Sequence, residues 1–290
     1  MRPWGLGTQL VALMLALLPA LRRSGAGAVA LNGRAARYHH HHHHQRSRAF
    51  WSDGTTRFFA SSVAARFDEG EGASLTLTAH PATAYFFDRA GRDGGRGYPR
   101  GKLTGKHAAL FAGNTTFDRL GRALCETGVV PRKELFETWA AALLVQKAFP
   151  STRRIADLAA GHGLLSWCLL LLDDEARGAG AGNVGGGAEA SSAEPRSAIC
   201  VDRRMPGSAD VIANAILGEF EHGPAGPTQL SERWSFVEGD LATVEPHASC
   251  LLTSVHACGT LSDYLVEMAI SGNASLALVM IAAPVLSRPF

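Results

Sequence analysis

Cysteine is scarce in this chain of 290 residues: Cys125, Cys168, Cys200, Cys250 and Cys258 are an odd set of five, with no C-x-x-C pair among them. That pattern argues against a disulfide framework and against a structural zinc site, and the thiols are expected to be reduced. Charge is also scarce. Charged residues make up 19% and the net charge is +2, too small a surplus to mark a nucleic-acid binder, or to exclude one. No stretch reaches the length of apolar residues that a membrane helix needs, about 20, so no transmembrane span and no stable membrane association of the mature protein are expected. What is abundant is apolar character. Hydrophobic residues are 46% of the chain, which excludes wholesale disorder and allows a sizeable core.

Residues 1–52 hold no Asp, Glu or Lys but seven Arg. Leu10–Leu21 (LVALMLALLPAL) is a 12-residue apolar run, followed by Arg22 and Arg23 and then by Ala28-Val29-Ala30. The run is too short for a bilayer span, and A-x-A is the pattern that signal peptidase cuts. A secretory signal followed by an Arg-rich, acid-free transit stretch is the expectation, with an organelle (plastid or mitochondrion) as destination. A start codon placed too early is the alternative. The run His39–His44 is taken as a low-complexity tract without a role.

Three regions follow from composition: a targeting or low-complexity segment 1–52, an accessory region 53–130 and a main domain 131–290 with a flexible insertion 177–197. In the accessory region Ser74–Thr78 alternates like a short strand. Asp88–Lys106 gathers Arg89, Arg92, Arg96, Arg100, Lys102 and Lys106. It is read as a solvated loop, with a basic surface for RNA as the alternative.

From Pro131 the pattern is regular. Leu135, Trp139, Leu143 and Ala148 recur at helical spacing, so Pro131–Phe149 is expected to be a helix ending before Pro150. Arg154–Leu158, Ser197–Asp202, Trp234–Glu238, Cys250–Val255 and Leu276–Ile281 read as strands. Leu164–Leu172, Ala209–Phe220 and Leu261–Ile270 read as the helices between them. Residues 177–197 contain six glycines and no aromatic residue, the composition of a flexible loop. Strands alternating with helices predict an α/β fold: a doubly wound, mostly parallel, Rossmann-like sheet whose ligands bind outside the carboxyl ends of the strands.

Four features carry chemistry. The first is Asp157-Leu158-Ala159-Ala160-Gly161-His162-Gly163, between a strand and a helix. Its small residues permit a sharp turn and a close ligand, and the next helix offers free N–H groups. A nicotinamide-dinucleotide turn needs G-x-G-x-x-G, and Ser166 stands at the third position. An acidic residue four positions before Gly161 is what S-adenosylmethionine (SAM) enzymes of this architecture show. The second is Asp202, at a strand end where a carboxylate can accept both ribose hydroxyls. The third is Asp240, after Trp234–Glu238, placed to meet an adenine edge. The fourth is Val255-His256-Ala257-Cys258-Gly259. There His256 is the candidate base or hydroxyl-orienting group, and Cys258 a packed or pocket-lining thiol.

In this order, D-L-A-A-G-H-G-L-L-S, V-D-R-R-M-P, V-E-G-D-L and V-H-A-C-G-T-L-S-D resemble the class I SAM-dependent methyltransferase-domain proteins, plant and algal members among them, that carry H-A-C-G after the fourth strand. The resemblance covers residues 131–281. It implies SAM as cofactor, with Asp157, Ala159, Gly161 and Gly163 on its methionine side, Asp202 at its ribose and Asp240 at its adenine. It also implies His256 and Cys258 on the acceptor side, and no metal. Similar H-x-C-G segments occur in a tRNA ribose methyltransferase family, so RNA is a candidate acceptor beside protein, and the acceptor itself is left unidentified. A monomer is expected. Two rival functions stand beside the methyltransferase: an inactive SAM- or RNA-binding module, and a nicotinamide-linked oxidoreductase, which Ser166 and the H-A-C-G segment disfavour. The chain departs from the family after the fifth strand, where a P-C-C-H motif and two further strands are expected. On that reading Leu276–Ile281 is left as an exposed sheet edge.

Overall fold

The computed structural model describes residues 11–16, 80–83, 85–86, 101–181, 194–221, 229–255, 257 and 259–281. Its strands are β1 (Val11–Ala16), β2 (Arg154–Leu158), β3 (Ser197–Asp202), β4 (Trp234–Glu238), β5 (Cys250–Val255) and β6 (Ser275–Ile281). They form one sheet in the order β1-β6-β5-β2-β3-β4. β2 through β6 are parallel, and β1 lies antiparallel on β6. The chain winds outward from β2 to β3 and β4, then crosses back to β5 and β6. That is the doubly wound α/β order of a Rossmann-like sheet, and its switch point lies between β2 and β5.

The period of two in each strand sends alternate residues to opposite faces. Ile155, Ala198, Leu251, Ala277 and Val279 face a layer built from α1 (Thr116–Thr127), α2 (Arg132–Ala148), α3 (Leu164–Ala181) and α4 (Gly207–Phe220). They share a buried cluster with Leu120, Trp139, Trp167 and Ile212. Leu158, Val201, Leu252, Leu276 and Leu278 point to the other face, where Leu265, Met268 and Ala269 of α5 (Thr260–Gly272) cover them. Trp167 of α3 stacks on Trp234 of β4, with centroids 4.7 Å apart and planes at 20°. Helix and sheet are thereby joined where β4 begins.

Three expectations change. The sheet edge at β6 is paired, because Val11–Ala16, inside the apolar run near the amino terminus, matches it residue for residue from Val11↔Ile281 to Ala16↔Leu276. The insertion begins later than composition suggested. α3 continues to Ala181, so residues 177–181 are helical. At its other end Arg196 is fully buried. Arg196 donates from its backbone N to Asp173 Oδ2 (3.0 Å) and from Nε to Thr152 O (2.9 Å), and its Nη atoms reach Gln146 and Phe149. A guanidinium can be buried because every such bond has a partner. The described part of region 53–130, finally, contributes to the same core as the main domain. Phe117, Leu120 and Leu124 of α1 are buried in the cluster that holds Trp139 and Ile212. Thr115 caps this helix: Asp118 N donates to Thr115 Oγ1 at 3.1 Å, and Thr115 Oγ1 donates to Asp118 Oδ2 at 2.5 Å. Ser74–Thr78, the histidine run and residues 88–100 lie outside the described residues.

Gly121, in the middle of α1, faces the ring of Phe111. A Cβ there would stand 2.2 Å from Phe111 Cδ1. Glycine to alanine in a helix interior normally stabilises, by up to about 1 kcal/mol. Here Gly121→Ala is expected to destabilise by about 1–3 kcal/mol through overpacking, measured as a lower urea midpoint with an unchanged slope.

Candidate functional site

The carboxyl ends of β2, β3 and β4 are brought into one rim by hydrogen bonds between the segments that follow them. After β2 the backbone enters the left-handed region at Ala159 (φ 54°), Gly161 (φ 55°) and Gly163 (φ 75°). Ala160 N donates to Val201 O (3.3 Å), and Gly163 N donates to Ala160 O (2.8 Å). Gly161 N donates to Asp202 Oδ2 at 2.9 Å, so the carboxylate at the end of β3 holds the turn after β2. Its other oxygen accepts from Arg203 N at 2.7 Å. Gly239 N donates to Asp202 O at 2.9 Å and ties in the end of β4. Asp240 is exposed, and its Oδ1 accepts from Ala242 N at 3.0 Å, capping the short turn Leu241–Thr243.

The two glycines of the turn face different surroundings. Among the described residues nothing lies within 4 Å of the place a Cβ of Gly161 would occupy; a Cβ at Gly163 would meet Cys200 Sγ at 2.9 Å. Gly161 therefore borders open space, and Gly163 is pressed against the sheet. The sequence reading put Asp157 beside the ligand with the rest of the turn. The structure turns its carboxyl inward. Asp157 is 2% exposed. Ser166 Oγ donates to its Oδ2 (3.1 Å), and Thr253 Oγ1 of β5 donates to its Oδ1 (3.5 Å). The parity of β2 explains this: Asp157 points to the same face as Ile155, toward the first turn of α3. Burial raises its pKa to about 7, and the bonds from Ser166 and Thr253 only partly offset that. Ser166 has its own place in this cluster, since Cys200 Sγ donates to its Oγ at 3.3 Å. Burial also pushes the Cys168 and Cys200 thiols upward, as expected for packed sulfur.

The structure thus brings Asp157, Ala159, Gly161, Gly163, Asp202 and Asp240 to the ends of three adjacent strands. His256 and Cys258 lie outside the described residues. Their neighbour Val255 ends β5 at the switch point and Ala257 comes just after it, where Ala257 O accepts from Ser262 Oγ of α5 at 2.7 Å. Sequence reasoning missed Ser166 and Thr253 as partners of Asp157. It also missed Glu134 of α2, whose Oε1 lies 2.8 Å from Nε2 of His162 in the turn. A polar residue inside an apolar strand, such as Thr253 in CLLTSV, was the available signal for one of them.

No family model matches the sequence, and no curated protein matches it. Among solved structures, the chain is similar to the S-adenosylmethionine-dependent methyltransferase SibL in its apo form, with 19% identity and a TM-score of 0.28, over 69% of this chain and 49% of that one. It is also similar to an uncharacterized protein from Burkholderia thailandensis, with 14% identity and a TM-score of 0.24, over 63% of this chain and 40% of that one. The chain therefore spans about half the length of these structures, or less.

Two outcomes follow from the turn. Gly161→Ala and Gly163→Ala both force a side chain into left-handed backbone, at a cost of about 1–2 kcal/mol each. Gly163→Ala also overlaps Cys200, so it is expected to lower the thermal midpoint clearly more than Gly161→Ala does. For Asp157, the folded state keeps a proton that the unfolded chain has already released. Stability therefore falls as pH rises from the ordinary aspartate range to about 7. Relative to Asp157→Asn, the native protein is expected to lose about 1.4 kcal/mol per pH unit across that interval and nothing further above it. Urea titrations of both proteins at several pH values measure the gap; a gap independent of pH would show that the carboxyl is not held protonated.

Proposed function

We propose that the chain is a SAM-dependent methyltransferase. One observation carries the reading: a left-handed small-residue turn after β2, open beyond Gly161, with Asp202 and Asp240 at the ends of the next two strands in order. The residues fit the cofactor. Asp202 already accepts an N–H at the rim and can accept ribose hydroxyls from the same place. Asp240 is exposed beside it for the adenine edge. The N-terminus of α3 and the backbone of Gly161 are left for the rest of the ligand. Buried Asp157 supports the turn from beneath.

In such a transfer the acceptor's lone pair forms a bond to the methyl carbon. SAM held by Asp202, Asp240 and the turn would supply that methyl group, and a base of the chain would take the acceptor's proton. His256 is the base in this proposal and Cys258 a lining residue of the same segment. Positioning of the nucleophile in line with the sulfonium supplies much of the rate. RNA is the acceptor this reading carries forward, from the H-A-C-G resemblance.

Calorimetry with SAM, S-adenosylhomocysteine and NAD is the first test. Binding of the first two and not the third is expected. Asp202→Ala is expected to weaken binding by about 1.5–3 kcal/mol, the scale of hydrogen bonds to a charged group; an unchanged affinity would sink the assignment. His256→Ala is expected to lose about 10²–10⁴-fold in turnover with SAM affinity intact, followed as radiolabelled methyl transfer to RNA and to protein fractions. Binding without transfer to either would leave a SAM-binding module.

A further inference from the structure

By composition the segment Asp88–Lys106 is a solvated loop or a basic surface. Its described end, residues 101–106, is anchored to the core. Leu103 is fully buried, and its N donates to Val130 O at 2.8 Å, just ahead of α2. His107 is buried as well, and its Nδ1 accepts from Thr104 N at 3.0 Å. These anchors fix the backbone on both sides of Lys102 and Lys106, whose side chains are exposed. Arg132, at the start of α2, joins them. Its Nε donates to Lys102 O at 3.1 Å, and its guanidinium lies over Phe86, 5.3 Å from the ring centre. Phe86 meets His107 and Tyr85 edge-on, with centroids 5.3 and 5.2 Å apart. Burial lowers the His107 pKa, and the charges of Arg132 and Lys106 lower it further. Both cations therefore reach this ring, which carries no charge of its own at neutral pH. Phe86 and His107 are buried, but Tyr85 is 39% exposed.

Three cations thus stand beside one exposed aromatic ring. Among the described residues no carboxylate pairs with Lys102, Lys106 or Arg132. The carboxylates at the start of α2 are engaged elsewhere: Glu134 lies 2.8 Å from His162, and Glu137 lies 2.9 Å from Lys133. Clustered like charges repel one another, and a polyanion relieves that repulsion. The ring narrows the choice of polyanion. An acidic protein segment would use the cations and leave the ring idle. A single-stranded RNA uses both, with phosphates on the cations and an unstacked base on the tyrosine. A duplex keeps its bases stacked inside, away from such a ring.

The position of the patch relates it to the candidate site. Arg132 and Glu134 share the first turn of α2 and, two residues apart, point to opposite sides of that helix. On one side Arg132 belongs to the patch. On the other Glu134 touches His162 in the turn after β2. The start of α2, about 10–12 Å across with its side chains, stands between the two. We infer that Tyr85, Lys102, Lys106 and Arg132 form a docking surface for single-stranded RNA, which presents the acceptor to the cleft on the other side of α2. The presentation rests on the methyltransferase reading above; the binding rests on the patch alone.

The test measures binding of a fluorescein-labelled single-stranded RNA of mixed sequence to the full chain by anisotropy, over a series of salt concentrations. The native protein is expected to bind it more tightly than the same strand annealed to its complement. Lys102→Gln combined with Lys106→Gln is expected to weaken binding and to flatten the plot of log affinity against log salt by about 0.7 for each lysine. Tyr85→Leu is expected to weaken binding by about 5- to 100-fold, the scale of one base–aromatic stack, with the salt slope unchanged. Circular dichroism checks that the variants fold, and calorimetry is expected to give them the native affinity for S-adenosylhomocysteine. A native protein without affinity for the RNA, or variants that bind it as the native protein does, would overturn the docking surface and leave the SAM reading to its own calorimetry. A loss with the lysines but not with Tyr85, together with equally tight binding of polyglutamate, would mark a surface for acidic protein and overturn the RNA assignment. RNA binding by a native protein that does not bind S-adenosylhomocysteine would remove the methyltransferase reading and overturn the presentation to the cleft.

Discussion

The hydrogen bond from Gly161 N to Asp202 Oδ2 is the constraint on which the site depends. It forms only if the backbone after β2 turns through left-handed conformations at residues 159, 161 and 163. Two of those positions are glycine. Ala159 pays a conformational cost of about 1–2 kcal/mol. That cost persists because the turn is fixed from two directions: Asp202 holds it from β3, and Asp157 holds the start of α3 through Ser166. A turn held on two sides is rigid before any ligand arrives, so little ordering remains to oppose binding.

Asp157 and Asp202 show how one residue type serves two ends. Asp157 is the last residue but one of β2, and Asp202 is the last of β3. Asp157 sits on the face that α3 covers, and desolvation raises its pKa to about 7. Asp202 stands at the rim with its oxygens on backbone N–H groups.

Much of this frame was legible. Arg154–Leu158, Ser197–Asp202, Trp234–Glu238 and Cys250–Val255 have the bounds expected of them; for the more buried strands, such as Cys250–Val255, the reason is that buried parallel strands read as short continuous apolar segments. The order of the acidic residues at strand ends was legible for the same reason. The inward direction of Asp157 was not, since it depends on which face α3 covers. α1 went unread although its signals were present: Phe117, Leu120 and Leu124 at helical spacing after the capping pair Thr115–Asp118. The extension of α3 to Ala181 ran against composition, because glycine and alanine there argue for a loop while the helix ahead of them continues. Arg196 was assigned to the insertion because nothing local shows that Asp173, Gln146 and Phe149 converge on it.

The buried Arg196 also explains why a glycine-rich insertion is tolerated. Asp173 in α3 and Arg196 before β3 stand on either side of residues 182–193, and their contact closes the base of that segment. Arg153, just before β2, reaches the same Asp173 at 2.8 Å, and Asp174 pairs with Arg233 ahead of β4 at 2.6 Å. These ion pairs gather where β2, β3 and β4 begin, and the candidate site gathers where the same strands end. Added length between fixed ends changes chain entropy only slowly, about 0.6 kcal/mol per doubling, and the fixed ends at Asp173 and Arg196 lie at the start of the strands, away from the rim. The beginnings of the strands can therefore vary in length while Gly161, Asp202 and Asp240 keep their mutual positions, because the register of β2, β3 and β4 is set by their ladders and by the closed base.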